Sequence, residues 1–108
     1  MNSRMDWPAD ADGDVMRRLQ GDGFDFAREV EIDFNIDFNT WPPDPVFAEL
    51  LESHMPSARI SMQEDYILVQ VRGFLTYLLV TKMQSDLTQI SERFGGRCLS
   101  WGVYSDQR

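Results

Sequence analysis

The stretch that decides the fold is residues 29–38, which read Glu-Val-Glu-Ile-Asp-Phe-Asn-Ile-Asp-Phe. Apolar and polar residues alternate without a break, and successive side chains of a strand leave opposite faces of a sheet. The pattern predicts a strand of an antiparallel sheet that has one packed face and one face in water. The face in water is almost entirely carboxylate, and no lysine or arginine lies within the run. Its acids are Glu29, Glu31, Asp33 and Asp37.

The composition predicts one soluble, strongly acidic domain. The chain has 108 residues, and its 18 acidic and 10 basic residues give a formal net charge of -8. That charge favours basic partners and opposes nucleic acid and anionic membranes, which carry the same sign. Because the sequence shows neither a signal peptide nor an apolar stretch long enough to cross a bilayer, we expect a cytoplasmic protein. Cys98 is the only cysteine, which excludes an intrachain disulfide and a zinc cluster of thiolates.

The periodicity along the chain predicts seven elements in the order α-β-α-β-β-α-β. Asp12 is the candidate N-cap of the first helix, and Asp44 caps the second with Pro45 in its first turn. The third helix is expected from Phe74 to Phe94, although its first turns are also rich in strand formers. The strands are expected at about residues 28–38, 58–62, 66–71 and 97–104. Residues 1–10 are expected to form a flexible leader, and residues 11–108 a single domain.

This order predicts an α+β protein, a ferredoxin-like two-layer sandwich with helices on one face of a four-stranded antiparallel sheet. If Val30 and Phe34 face the helices, the alternation places four hairpin residues beside the acids on the other face: Tyr66, Leu68, Gln70 and Arg72. In the last strand, one parity holds Leu99, Trp101 and Val103, and the other holds Cys98, Ser100, Gly102 and Tyr104. The acidic face, with Tyr66 at its side, is the candidate partner-binding surface. Charges on a wet strand also serve solubility alone, and both interpretations stay open.

No motif in the chain predicts catalysis, a metal ion or a cofactor. The run Asp10-Ala-Asp-Gly-Asp14 lacks the glycine and the glutamate that an EF-hand loop places at its sixth and twelfth positions. Exposed acids in one row lack the burial that separates carboxyl pKa values into an acid and a base. His54 and Cys98 stay open as a pair, but a position in a strand offers nothing that lowers the pKa of a thiol.

The predicted fold raises RNA binding as a rival function. A ferredoxin-like sheet can stack aromatic side chains on bases while basic residues bind phosphates. Here the central strand carries carboxylates, and no Lys/Arg-Gly-Phe signature occurs in the hairpin or the last strand. Direct RNA binding is therefore disfavoured by the sign of the charge.

Three segments, taken in order, resemble one known family. They are residues 10–26, which begin Asp-Ala-Asp-Gly-Asp, the acidic strand ending Asp-Phe-Asn-Thr at residue 40, and residues 94–102, Phe-Gly-Gly-Arg-Cys-Leu-Ser-Trp-Gly. Together they resemble the RraB family of ribonuclease E regulators over about residues 10–104. The resemblance implies a ferredoxin-like fold and a cytoplasmic protein that binds ribonuclease E and lowers its activity without chemistry of its own. The motif residues, which we expect to maintain the fold rather than to touch a partner, are Asp12, Gly13, Asp14, Gly95, Gly96, Trp101 and Gly102.

Two departures from the family pattern shape the expected function. Residues 98–100 read Cys-Leu-Ser where the family usually shows Tyr-Asp-Gly, and the sequence up to Arg108 has no strongly acidic C-terminal tail. If such a tail helps to grip a basic segment of the nuclease, this chain has to use its acidic sheet. Two alternatives stay open. One is an immunity-type inhibitor of another basic partner, and the other is a small enzyme or ligand binder with a pocket around His54 or Cys98.

Overall fold

The computed structural model describes residues 7–104, which form three helices and a four-stranded sheet. The elements are α1 (Ala11–Gly21), β1 (Glu29–Phe38), α2 (Val46–His54), β2 (Arg59–Met62), β3 (Tyr66–Phe74), α3 (Tyr77–Ser91), a 3-10 turn (Glu92–Phe94) and β4 (Gly96–Tyr104). The predicted α+β class and element order are confirmed. Most of the predicted leader, residues 1–6, and the chain end, residues 105–108, lie outside the described residues. Within residues 7–104, none of the helices has the length and apolar character needed to span a membrane.

The sheet has the strand order β2-β3-β1-β4, and every neighbouring pair is antiparallel. This is the ferredoxin-like arrangement that the element order predicts, with β1 and β3 in the centre. Along β1, Ile32, Phe34 and Ile36 are fully buried, so the alternation in the sequence does separate two faces. The helices cover the apolar face through buried residues that include Met16, Phe47, Leu51, Val80 and Leu87. Each large apolar side chain buried there stabilises the fold by about 1.5–3 kcal/mol.

The first helix begins two residues earlier than the sequence predicts. Asp10, not Asp12, is the N-cap, since its Oδ1 accepts a hydrogen bond from the backbone N–H of Gly13 at 2.8 Å. A Cβ added at Gly13 would lie 1.9 Å from the carbonyl oxygen of Pro8, so only glycine fits this first turn. The prediction that Asp12 caps the helix is wrong because two long-range contacts, described below, hold that side chain elsewhere. The helix ends at Gly21.

The other two helices begin later than predicted. The second helix starts at Val46, whose N–H donates to Oδ1 of Asp44 at 3.0 Å, so Pro45 lies just outside it. Thr76 caps the third helix by accepting a hydrogen bond from the N–H of Leu79 at 3.0 Å. The predicted start at Phe74 is wrong, because Phe74 continues β3 and pairs with Glu29 of β1. The strand preference of this segment therefore prevails up to the cap.

A β-bulge in β4 changes which residues of this strand reach the core. Asn35 pairs with Ser100, but the next residue of β1, Ile36, pairs with Cys98, so Leu99 is the extra residue. The sequence parity that groups Leu99 with Trp101 and Val103 is therefore wrong. Cys98 is 1% exposed and joins the core, whereas Leu99 is 69% exposed.

Candidate functional site

The side of the sheet that the helices leave uncovered, which we call the open face, gathers the predicted partner-binding residues. The register pairs Glu29 with Phe74, Glu31 with Arg72, Asp33 with Gln70 and Asp37 with Tyr66. All five predicted residues therefore lie on one face of two central strands: Glu29, Glu31, Asp33, Asp37 and Tyr66. Glu29 and Asp37 are exposed, and the other three are half-buried by their neighbours.

Among the described residues, the side-chain contacts of these acids are one hydrogen bond from a neutral amide and one long ion pair. The Gln70 amide donates a hydrogen bond to Oδ1 of Asp33 at 2.9 Å. Nη1 of Arg59 lies 3.7 Å from Oε2 of Glu31, and the Arg59 side chain is 73% exposed. An ion pair this long and this exposed contributes at most about 1 kcal/mol. The carboxylates of β1 are therefore available to an external cation.

Three arginines on the open face lie beside the acidic row. Arg59 of β2 pairs with Gln70, Arg72 of β3 with Glu31, and Arg97 of β4 with Asp37. Among the described residues, this face thus holds four acids and three arginines, so it carries little of the net charge of -8. Its electrostatic pattern is a negative central strand between positive flanking strands. Arg59 could be placed from the hairpin register alone, whereas Arg97 needs the bulge at Leu99.

Next to Asp33 and Asn35, the residues of β4 on the open face are small. There β4 contributes Ser100 and Gly102, and the Asn35 amide donates to Oγ of Ser100 at 3.1 Å. A Cβ added at Gly102 would meet no atom within 4 Å, and the residue has no positive φ. The fold therefore does not require glycine here. A glycine inside a strand often marks a place where another backbone comes close to the sheet.

Three of the seven motif residues make contacts that join the helices to the sheet. Asp12 accepts hydrogen bonds from Nε1 of Trp101 at 2.9 Å and from Nε2 of Gln84 at 3.0 Å, which ties α1 to β4 and α3. A Cβ at Gly96 would lie 2.7 Å from the Phe38 ring and 2.9 Å from Cβ of Ser91. These contacts support a structural role for Asp12, Gly96 and Trp101.

Of the other four motif residues, Gly102 lies in β4, and the other three lie in the first turn of α1 or at the end of the 3-10 turn. Gly95 has a φ of 82°, a left-handed conformation that favours glycine and ends the 3-10 turn. Asp14 is exposed in the first turn of α1, and its Oδ1 lies 2.6 Å from Nη2 of Arg17. Both positions thus serve the local backbone or the helix surface, as Gly13 does.

The candidate catalytic pair, His54 and Cys98, lacks the features of a nucleophile and its base. Burial raises the pKa of the Cys98 thiol to about 12, which keeps it protonated and unreactive at neutral pH. A cavity of about 360 Å³ borders this thiol, and the one charged residue in its lining is Asp12, whose carboxylate already accepts hydrogen bonds from Trp101 and Gln84. The lining residues from α3 are uncharged: Thr81, Gln84, Ser85, Thr88 and Gln89. Nδ1 of His54 lies 3.0 Å from the carbonyl oxygen of Leu50, one turn earlier in α2. Within residues 7–104, no group of three or more candidate ligands is arranged to hold a metal ion.

Comparisons with known proteins address the chain as a whole. The model of the RraB family, described as regulator of ribonuclease activity B, matches residues 9–103 and so includes every helix and nearly all of the sheet. A search among curated proteins gave no match. The matched range includes all seven motif residues and the whole acidic strand. The chain therefore belongs to the RraB family, whose members are non-enzymatic regulators of ribonuclease E activity.

Proposed function

We propose that this protein acts in the cytoplasm and inhibits ribonuclease E by laying the open face of its sheet against a basic segment of the nuclease. The observation that carries the proposal is the row of acids on β1. The three described helices leave it uncovered, and among residues 7–104 only Glu31 has a cationic partner, at 3.7 Å. Family membership implies ribonuclease E as the protein partner. The proposal adds the surface that is used and the chemistry of the segment that it binds.

The spacing of the acids suits an extended segment with cations at every second residue. Glu29, Glu31 and Asp33 are alternate residues of one strand, so their positions recur about every 6.8 Å. An extended chain that runs along β1 offers side chains at the same interval. Gly102 supports this arrangement, because its missing side chain lets a second backbone come near Asp33.

The arginines on the flanking strands supply specificity. A segment that is basic over its full width would meet Arg72 on one side of β1 and Arg97 on the other. The preferred segment therefore carries its cations in one narrow row and neutral or acidic groups beside them, because like charges in contact oppose binding. The same arginines are too few and too close to carboxylates to form a phosphate-binding surface, so direct nucleic-acid contact has no place in the proposal.

Binding to purified ribonuclease E, measured by calorimetry at low and high salt, tests the proposal. The double variant Glu31→Lys with Asp33→Lys should weaken binding by at least about tenfold, because two attractive contacts become repulsive. The matched control is Glu49→Lys with Glu52→Lys, which makes the same charge change on exposed positions of α2. The control should bind within about threefold of the unchanged protein at a salt concentration that screens long-range charge.

Two outcomes would argue against this function. If the unchanged protein does not bind ribonuclease E at low salt, the nuclease is not its partner, and an inhibitor of another basic protein becomes the better account. If the two double variants lose affinity equally, the overall charge drives binding and the open face has no special role.

A further inference from the structure

The two edges of the sheet differ in how their backbone groups are satisfied. At the β4 edge, Oγ1 of Thr88 in α3 accepts a hydrogen bond from the N–H of Cys98 at 2.9 Å and lies 3.4 Å from its carbonyl oxygen. The bulge at Leu99 breaks the regular spacing of this strand one residue later. Helix contact and bulges are two devices that stop another strand from adding to an edge.

The opposite edge has a step that lacks such protection. The short strand β2 pairs with β3 only from Ile67 to Gln70. Beyond Gln70, β3 continues to Phe74, and within residues 7–104 no strand pairs with the outer side of residues 71–74. We call this exposed part of the edge, residues 71–74, the β3 step.

The hairpin geometry shows which backbone groups point outward at the β3 step. The N–H of Gln63 donates to the carbonyl oxygen of Tyr66 at 2.8 Å, so the backbone groups of Tyr66 face β2. In an antiparallel ladder, every second residue faces the same neighbour. The N–H and C=O groups of Arg72 and Phe74 therefore point outward from the edge of the sheet, while those of Val71 and Gly73 face β1.

A cavity of about 350 Å³ lies next to the β3 step. Val71 and Arg72 form one side of it, and the other side is formed by the end of α2 and the turn that follows: His54, Met55, Pro56, Ser57 and Ala58. Val71 and Met55 are half-buried beside it and give its wall an apolar character. The cavity is large enough to take one apolar side chain of an added strand.

The charged side chains of the edge strands at the β3 step are basic, although the protein as a whole is acidic. Arg72 is exposed on the step, and Arg59 lies at the adjoining end of β2. The acids beside the step are Glu29 and Glu31 of β1, which pair with Phe74 and Arg72 and so lie on the side of β3 away from an added strand. In a chain with a net charge of -8, this is a local site for an acidic group.

We propose that the β3 step binds an extended segment of a partner protein, in which acidic and apolar residues alternate, by strand addition. Hydrogen bonds to Arg72 and Phe74 would hold its backbone. In the bound segment, the acidic side chains would lie beside Arg72 on the open face. An apolar side chain between them would point to the other face and enter the cavity beside Val71. A second copy of this chain fits less well, because two-fold pairing of the steps brings two Arg72 side chains together on one face.

Amide hydrogen exchange followed by NMR on the full chain tests the proposal. The probe is the peptide acetyl-Glu-Val-Asp-Val-Glu-amide, and the control peptide is acetyl-Lys-Val-Lys-Val-Lys-amide. In the free protein, the amides of Arg72 and Phe74 should exchange faster than those of Val71 and Gly73, which bond to β1. Millimolar acidic peptide should slow the exchange at Arg72 and Phe74 by at least about tenfold, and the lysine peptide should not.

Charge variants make the test specific for the β3 step. Arg72→Glu should abolish the protection by the acidic peptide, whereas Arg97→Glu, the same change at the far edge of the open face, should retain it. If neither amide is slowed, or if both peptides slow them equally, the proposal fails. It also fails if both amides are already protected in the free protein in a concentration-dependent way, since a second copy then fills the step. None of these outcomes depends on ribonuclease E, so they leave the proposed function to its own experiment.

Discussion

The two faces of the sheet share the central strand β1 but rest on different interactions. On the covered face, Phe34 and Ile36 are fully buried under the helices. On the open face, the side chain of Asn35, which lies between these two residues in the sequence, makes a hydrogen bond to Ser100 at 3.1 Å. Burial of a large apolar side chain stabilises a fold by about 1.5–3 kcal/mol, and an exposed polar contact contributes much less. The covered face therefore carries the stability, and the open face can serve binding without harm to the fold.

The largest difference between the faces is expected at two adjacent residues. Phe34→Ala should lower the free energy of unfolding by about 3–5 kcal/mol, because it leaves a cavity in a fully packed core. Urea denaturation followed by circular dichroism measures this loss. Asn35→Ala is the control on the open face and should change stability by less than about 0.5 kcal/mol. Similar losses for the two variants would contradict the division between the faces.

The two glycines of β4 test the same division with one added methyl group. Gly96→Ala should destabilise the protein by about 1–3 kcal/mol, because the new Cβ meets the Phe38 ring at 2.7 Å. Gly102→Ala should be neutral or stabilise it by up to about 1 kcal/mol, because its Cβ meets nothing and strand glycines lose more entropy on folding. Thermal unfolding of both variants measures these two changes in stability. A large loss for Gly102→Ala would mean that the fold requires this glycine after all.

The alternation in β1 was enough to predict the division of the sheet and the neighbours of its acids. Strict period-two patterning fixes the register of a strand strongly, because a slip by one residue would bury the whole acidic row. The same alternation along β3 placed Tyr66 and Gln70 on the open face, where they pair with Asp37 and Asp33. These conclusions needed only the local pattern.

Features set by long-range contacts could not be predicted in the same way. Asp10 and Asp12 are both good N-cap residues, and the choice falls on Asp10 because Trp101 and Gln84 bind Asp12 from the sheet and α3. The bulge at Leu99 has a similar origin. It sits next to Cys98, whose backbone is held by the Thr88 side chain, and only the folded structure brings these residues together. The arginine beside Asp37 was missed for this reason.

The smallest expected effect is on the open face itself, at the pair formed by Glu31 and Arg59. A double-mutant cycle with Glu31→Gln and Arg59→Ala should give a coupling energy below about 0.5 kcal/mol, because the pair is 3.7 Å apart and exposed on the Arg59 side. The reference cycle uses Asp12→Ala and Trp101→Phe, whose hydrogen bond at 2.9 Å joins α1 to the sheet, and it should give about 1 kcal/mol or more. Urea denaturation measures both cycles. A larger coupling for the Glu31 pair would make it part of the fold, and a basic partner would then have to break it in order to bind.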